Sequence, residues 1–366
     1  MSGRKLSFSH ELVGDNVHDI VEQGVNAEKF GFDFVWVPDH LVDIHPLMAI
    51  FDAWTTLATI GAKTESIRLA SGVTDIQRMH PAKIANIIST LDHLTSGRAV
   101  LGIGAGEIMN TKPYGIEWEK KEARLKRLRE TLQVIKLLWK STFEKPVSFS
   151  GDFYSLDRAH LSLPPFQKGP PIYIGSWSSK ETLRIAGEFA DGWYPGSQNT
   201  VEGFREKAQI IKNAATAAGR PSDSIDIMVS IPTLVLKDKN QVEPLKKEIK
   251  NALKKKLLLN QYMWEVFGLN RNEISIPREL EYQFATPGQQ YDEALSKTVE
   301  KLQIPDEILE KAIERMIAVG SADECISKIE KYVNVGATHI FFSSLLGTRE
   351  NYRLIGEEII PRLRTS

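Results

Sequence analysis

The sequence is poor in cysteine. Cys325 is the only one among 366 residues, so no disulfide can form within the chain and a reducing, intracellular setting is expected. Neither sign of charge is in excess, because 46 Lys and Arg stand against 47 Asp and Glu for a formal net charge of −1. A near-neutral chain lacks the basic field that holds nucleic acid or an anionic membrane, so neither is expected as a partner. No apolar run reaches the about 18 residues of a membrane span, and MSGRKLSFSHELVG has no basic-then-apolar leader pattern. The expected location is the cytoplasm. HExxH and paired-cysteine spacings are missing around His10, His40, His45 and His80, so no metal is expected. A GxSxG elbow is missing as well, which argues against a serine hydrolase.

What is present is an alternation of short apolar runs with amphipathic stretches. Strands are expected at 5–9, 33–37 (DFVWV), 67–73, 99–103 (AVLGI), 171–174 (PIYI), 191–194, 225–236 and 338–343 (THIFFS). Helices are expected at 16–30, 46–62, 81–94, 117–139, 179–189, 201–218, 323–333 and 350–364. Gly31 closes the first helix as a C-cap glycine, and Pro46 and Pro81 open two others. Two excursions interrupt the rhythm: a β-hairpin at about 147–163 and a helical insertion at about 237–310. The insertion opens with Lys246, Lys247, Lys250, Lys254, Lys255 and Lys256, read as a solvated helix face rather than an anion-binding lid. Eight buried strands, each followed by a helix, suit one α/β domain over 1–366, a (β/α)8 TIM barrel with insertions, ahead of a doubly wound open sheet. Function is then sought where the strands end.

Four strand ends carry chemistry. Asp39-His40 follows the second strand and brings a carboxylate beside an imidazole suited to proton transfer near neutrality; a capping Asp and a packed His are the bland alternative. Gly72-Val73-Thr74-Asp75 ends the third, where glycine permits an unusual backbone or a close ligand. Gly102, Gly104, Ala105, Gly106, Glu107 and Asn110 follow the fourth. The GxGxxG spacing fails at Glu107, which argues against a dinucleotide fold; the expectation is a backbone floor under a flat ligand with Glu107 and Asn110 at its edge. Ser176, Trp177, Ser178 and Ser179 follow the fifth and open a helix, a suitable phosphate seat or an ordinary cap.

At these residues the sequence resembles the luciferase-like superfamily and, within it, the coenzyme F420-dependent oxidoreductases. The matching stretches are AEKFGFDFVWVPDH, SGVTDIQRMHPAKIA, LTSGRAVLGIGAGEIMN, YGIEWEKKEARLKRLRETLQVIKLLW, IAGEFADGWYPG and GSADECISKIEKYVNVGATHIFF. They span nearly the whole chain outside 237–310. The resemblance implies coenzyme F420, with FMN as the alternative of the wider superfamily. It implies His40 as the group handling the substrate proton and Glu107 as support for the deazaflavin ring. It implies cofactor contacts from Asp39, Gly72, Val73, Asp75, Ala105, Asn110 and Ser176 to Ser179, a cis Gly72–Val73 peptide, and a homodimer. Departures concern the substrate. Ile44 stands where the alcohol and sugar-phosphate dehydrogenases have Trp, Val13 where they have Glu with Glu11 close by, and 196–199 lacks their lysine. Arg315 alone matches a basic position of the sugar-phosphate enzyme. The implied substrate is a small alcohol or carbonyl, or a pterin-bound one-carbon unit as in the methylenetetrahydromethanopterin reductases, rather than glucose 6-phosphate. A monooxygenase using FMN and a non-catalytic F420-binding barrel are the rival readings.

Overall fold

The computed structural model describes residues 5–42, 49–176, 179–196, 199–237, 242–259, 297, 304–343 and 349–365. Eight parallel strands close a barrel: β1 (Ser7–Glu11), β2 (Phe34–Val37), β3 (Arg68–Ser71), β5 (Ala99–Gly104), β8 (Ile172–Ser176), β9 (Gly192–Pro195), β10 (Asp226–Val235) and β12 (His339–Ser343). Each pairs with the next, β9 pairs with β10, and β12 returns to β1. The short β4 (Thr74–Asp75) continues beyond β3 but pairs only with β5, and β11 (Ala318–Gly320) lies along the end of β10. The hairpin is β6 (Val147–Ser150) with β7 (Ser155–Ala159).

The period of two along each strand decides what faces where. Phe34, Trp36, Ala70, Val100, Tyr173, Tyr194, Met228 and Phe341 fill the barrel. Their neighbours in sequence, among them Val35, Leu69, Leu101, Ile174, Val229 and Ile340, pack outward against the helices. The surrounding helices are α1 (Val17–Lys29), α2 (Ala53–Gly61), α3 (Pro81–Leu94), α4 (Lys121–Trp139), α5 (Lys180–Phe189) and α6 (Val201–Ala217). After the insertion come α8 (Asp306–Met316), α9 (Ala322–Val333) and the closing α10 (Arg349–Leu354). A π-helical turn at Ile355–Ile359 then leads into α11 (Ile360–Thr365). No helix among the described residues is long and apolar enough to cross a membrane.

Several expected bounds are corrected. The second helix starts at Ala53, where Asp52 caps it by accepting from Thr55 N at 2.8 Å, while Pro46 lies outside the described residues. The third strand is not continuous to 73: pairing with β2 stops at Ser71. The fourth helix begins at Lys121 rather than 117. The closing helix is interrupted at its π turn, where a Cβ on Gly356 would stand 2.4 Å from Phe30 O. The insertion's described part is α7 (Val242–Leu259), and the basic face is not simply solvated: Lys250 Nζ meets Asp306 at 3.1 Å and Glu310 at 2.7 Å on α8. Helix α8 crosses the expected end of the insertion at 310 because Leu309, Ala312, Ile313 and Met316 bury a helical stripe.

Candidate active site

His40 stands three residues beyond the end of β2, at the mouth of the barrel, with 18% of its side chain exposed. Asn110 reaches it from the turn after β5. Asn110 is 1% exposed, and its Nδ2 lies 2.7 Å from His40 Nδ1. Its Oδ1 accepts from the backbone N–H of Leu41 at 2.6 Å and of Val42 at 3.3 Å. One amide thus ties two strand ends together. Glu107 completes the group with Oε2 at 3.5 Å from the same Nδ1.

The neighbouring group is ionic. Asp39 is buried, and Arg78 donates through Nη2 to its carbonyl and, at 3.1 Å, to its Oδ1. The Arg78 Nε lies 3.7 Å from Asp75 Oδ2. Burial pushes the Asp75 carboxyl above its usual range, against the opposing pull of the Gln77 N–H and of Arg78. Arg78 therefore bridges both aspartates. The sequence reading gave it no role, although its spacing of three from Asp75 was the available signal.

The Gly72–Val73 peptide is cis, as the resemblance implied. The glycines of the next strand answer to this bulge. A Cβ on Gly102 would stand 1.8 Å from Ser71 O, and one on Gly104 would stand 3.0 Å from Val73 Cγ2. A Cβ on Gly175 would come within 2.8 Å of Val73 Cγ2. Gly106, at φ +90°, would meet Asp75 Oδ1 at 2.6 Å. Residues of β5 and β8 are glycine because protein already fills the space a side chain needs. Ala105 sits between them, half-buried.

Below the mouth, Tyr194 Oη donates to Glu11 Oε1 at 3.3 Å, and its ring lies 4.8 Å from that of Trp36. Burial, and then the charge of Glu11, raise the phenol well above its ordinary range, so it stays a neutral donor. The Glu11–Tyr194 pair was missed because the two residues lie 183 positions apart. The alternation of Ser7, Ser9 and Glu11 on the inward side of β1 was the one available hint.

The remaining expected residues divide. Ser179 caps α5, accepting from Thr182 N at 3.4 Å, and Ser176 is buried. Trp177, Ser178 and Ile44 lie outside the described residues. Arg315 is not brought into the cluster: it is half-exposed on α8, and its guanidinium is held by Glu202 at 3.1 Å.

Among the described residues, four buried polar atoms of the rim have no hydrogen-bond partner: Asp39 Oδ2, Thr74 Oγ1, Ser176 Oγ and Glu107 Oε2, whose sole neighbour of opposite character is the His40 ring at 3.5 Å. Such atoms are costly unless something pairs with them. Carboxylate acceptors suit the N–H edge of a flavin-like ring, and a helix N-terminus with small side chains suits its phosphate.

Comparison with known proteins agrees with this geometry. The family model for luciferase-like monooxygenase matches residues 4–339. An F420-dependent glucose-6-phosphate dehydrogenase of Microbacterium testaceum is 31% identical over 362 residues, covering 97% of this chain and 96% of the relative. A 5,10-methylenetetrahydromethanopterin reductase of Archaeoglobus fulgidus is 29% identical, covering 98% of this chain and all of the relative. Among solved structures, the F420-dependent tetrahydromethanopterin reductase of Methanopyrus kandleri superposes with a TM-score of 0.79 at 22% identity, over 98% of this chain and 99% of that one. The chain belongs to the luciferase-like monooxygenase family and, within it, to the branch of the F420-dependent dehydrogenases and reductases.

Proposed function

We propose that the protein is an F420-dependent oxidoreductase. It moves a hydride between the deazaflavin and a small alcohol or carbonyl, or a pterin-bound one-carbon unit. The observation that carries this reading is the His40–Asn110–Glu107 group, set beside the carboxylate oxygen of Asp39 that has no hydrogen-bond partner among the described residues of the barrel mouth. Coenzyme F420, when bound, supplies the hydride chemistry. Asp39, Glu107 and Asn110 would hold the ring edge, Val73 would back the ring from the bulge, and Ser176 and Ser179 would hold the phosphate. His40 would manage the proton on the substrate heteroatom. A homodimer in the cytoplasm belongs to the same proposal.

The substrate reading departs from the M. testaceum relative. A sugar phosphate needs free cations, whereas Arg315 is paired with Glu202. Asn199 accepts from Lys207, and the mouth adds the carboxylate of Glu11. Such a site favours a neutral, donor-bearing substrate over an anion.

The test is anaerobic titration of the purified protein with F420 and with FMN, followed by alcohols, ketones and methylenetetrahydromethanopterin at the F420 absorbance band. F420 is expected to bind at least roughly tenfold more tightly than FMN, about 1.4 kcal/mol. Tighter binding of FMN with oxygen consumption would point to a monooxygenase. Tight F420 binding without turnover of any of these substrates would point to a binding protein.

A further inference from the structure

The amide of Asn110 is oriented by what it touches. A backbone N–H can only donate, so the oxygen of the amide must face Leu41 N and Val42 N, at 2.6 and 3.3 Å. The NH2 group then faces His40 Nδ1, at 2.7 Å. An amide NH2 has no lone pair to offer. Nδ1 must therefore accept, and the single proton of the neutral imidazole must sit on Nε2.

We propose that Asn110 is a positioning residue that fixes His40 as its Nε2–H tautomer. The resting site thereby presents a hydrogen-bond donor, Nε2–H, to the substrate heteroatom. This rests on the oxidoreductase reading and deepens it by naming the tautomer in which His40 meets the substrate. In the reductive direction the substrate carbon gains a hydride from the reduced cofactor, and its oxygen or nitrogen gains the Nε2 proton. Once the product leaves, Nε2 takes a replacement proton from solvent, and Nδ1 remains the acceptor of the Asn110 NH2 throughout. One hydride and one proton are delivered, and the ring ends neutral. The oxidative direction retraces the same path, so the tautomer set by Asn110 serves the proton transfer whichever way the reaction runs.

Among the described residues, the titratable groups around the ring are Glu107, Asp39 and Asp75 with Arg78 between them, and Glu11 with Tyr194. Among these residues Asn110 and Glu107 are the ones that contact Nδ1. Asn110→Asp isolates the effect. One oxygen keeps the two backbone N–H groups, and the other replaces NH2 by an acceptor for Nδ1–H.

The experiment uses full-length protein with 15N-labelled histidine. Long-range proton–nitrogen NMR spectra are recorded without cofactor or substrate, and His40 is assigned by difference with His40→Gln. The wild type is expected to show the proton on Nε2, and Asn110→Asp to show Nδ1 protonated. Steady-state kcat should then fall about tenfold or more in Asn110→Asp, in whichever direction it is measured. The pH profile of that variant should move upward, while Asn110→Ser should leave it in place. An Nδ1–H signal in the wild type overturns the proposal even in a protein that turns over F420. A wild-type Nε2–H with an unchanged kcat in Asn110→Asp overturns the positioning role. Failure to bind F420 defeats the functional reading instead, and the ligand-free spectrum still decides the tautomer. Should Asn110→Asp not fold, the wild-type spectrum decides the tautomer, and Asn110→Ser supplies the kinetic test, in which kcat must also fall.

Discussion

At the floor of the barrel, Asp226 accepts from Tyr173 Oη at 2.5 Å and from Thr338 Oγ1 at 2.5 Å, and it faces His339 Nδ1 at 2.8 Å. At the mouth, Arg78 holds one oxygen of Asp39, and the other oxygen has no partner. Both ends place aspartate and histidine at strand ends, and tyrosine lies within reach of each. The floor pairs its polar groups with one another. Burial there opposes the charge on Asp226, but His339 and the hydrogen bonds outweigh it and hold the carboxyl below its usual range. His339 Nε2 is the exception, without a recorded partner. The mouth leaves Asp39 Oδ2, Ser176 Oγ and Thr74 Oγ1 without hydrogen bonds from the described residues, and Glu107 Oε2 with the His40 ring alone, at 3.5 Å. Buried polar atoms left open in one place mark where a ligand completes the structure; the same atoms closed on each other mark where the fold is locked.

The sharpest way to break this comparison is at the mouth. His40→Ala should lower kcat by about 10²- to 10⁴-fold while leaving F420 affinity and the melting temperature nearly unchanged. Both the loss of turnover and the retention of binding are needed, so kinetics and fluorescence titration are run on the same preparation. Near-normal kcat would remove His40 from the chemistry, and a large drop in melting temperature would make the mouth a structural element like the floor.

The reciprocal change belongs at the floor. Asp226→Ala strips the shared acceptor from Tyr173, Thr338 and His339. Removing one partner of such a buried set costs about 3–5 kcal/mol, read as a lower urea midpoint at pH 7. F420 affinity per folded molecule should stay within about twofold. A variant as stable as the wild type would show that the floor network contributes nothing net, as some buried ion pairs do.

Much of the barrel was legible in the sequence because local signals coincide with it. Apolar runs such as Phe34–Val37 and Ala99–Gly104 mark strands buried on both faces. Pro81 opens α3 at the expected residue, and Ser179 caps α5. Asp39 and His40 were found because they are adjacent. The contacts that give them a task join distant segments and were not legible: Asn110 reaches His40 from 70 positions away, and Arg78 reaches Asp39 from 39. Gly102 shows the same limit. Its glycine-rich setting suggested a ligand, but the atom that forbids a side chain is Ser71 O on the neighbouring strand. Arg315 entered by resemblance, and resemblance could not foresee that Glu202 would occupy it.

A second buried histidine carries the comparison down to a smaller effect. His339 faces a carboxylate, whereas His10 is packed among aromatic rings, with centroids 5.8 Å from Phe32 and 3.5 Å from Tyr352. Burial lowers the His10 pKa from 6.5 to about 3. The folded state therefore binds a proton less readily than the unfolded chain. The associated stability is complete above about pH 6.5 and is lost progressively as pH falls towards about 3. At pH 5 the loss is about 2 kcal/mol, from the distance below the ordinary value at about 1.4 kcal/mol per pH unit. His10→Phe fills the same aromatic niche and has no proton to take up. Urea denaturation of both proteins at pH 7 and pH 5 should show the variant gaining about 2 kcal/mol relative to the wild type on acidification. A stability difference that stays constant between the two pH values would mean that His10 reaches a partner on protonation, making its setting more like that of His339 than the packing indicates.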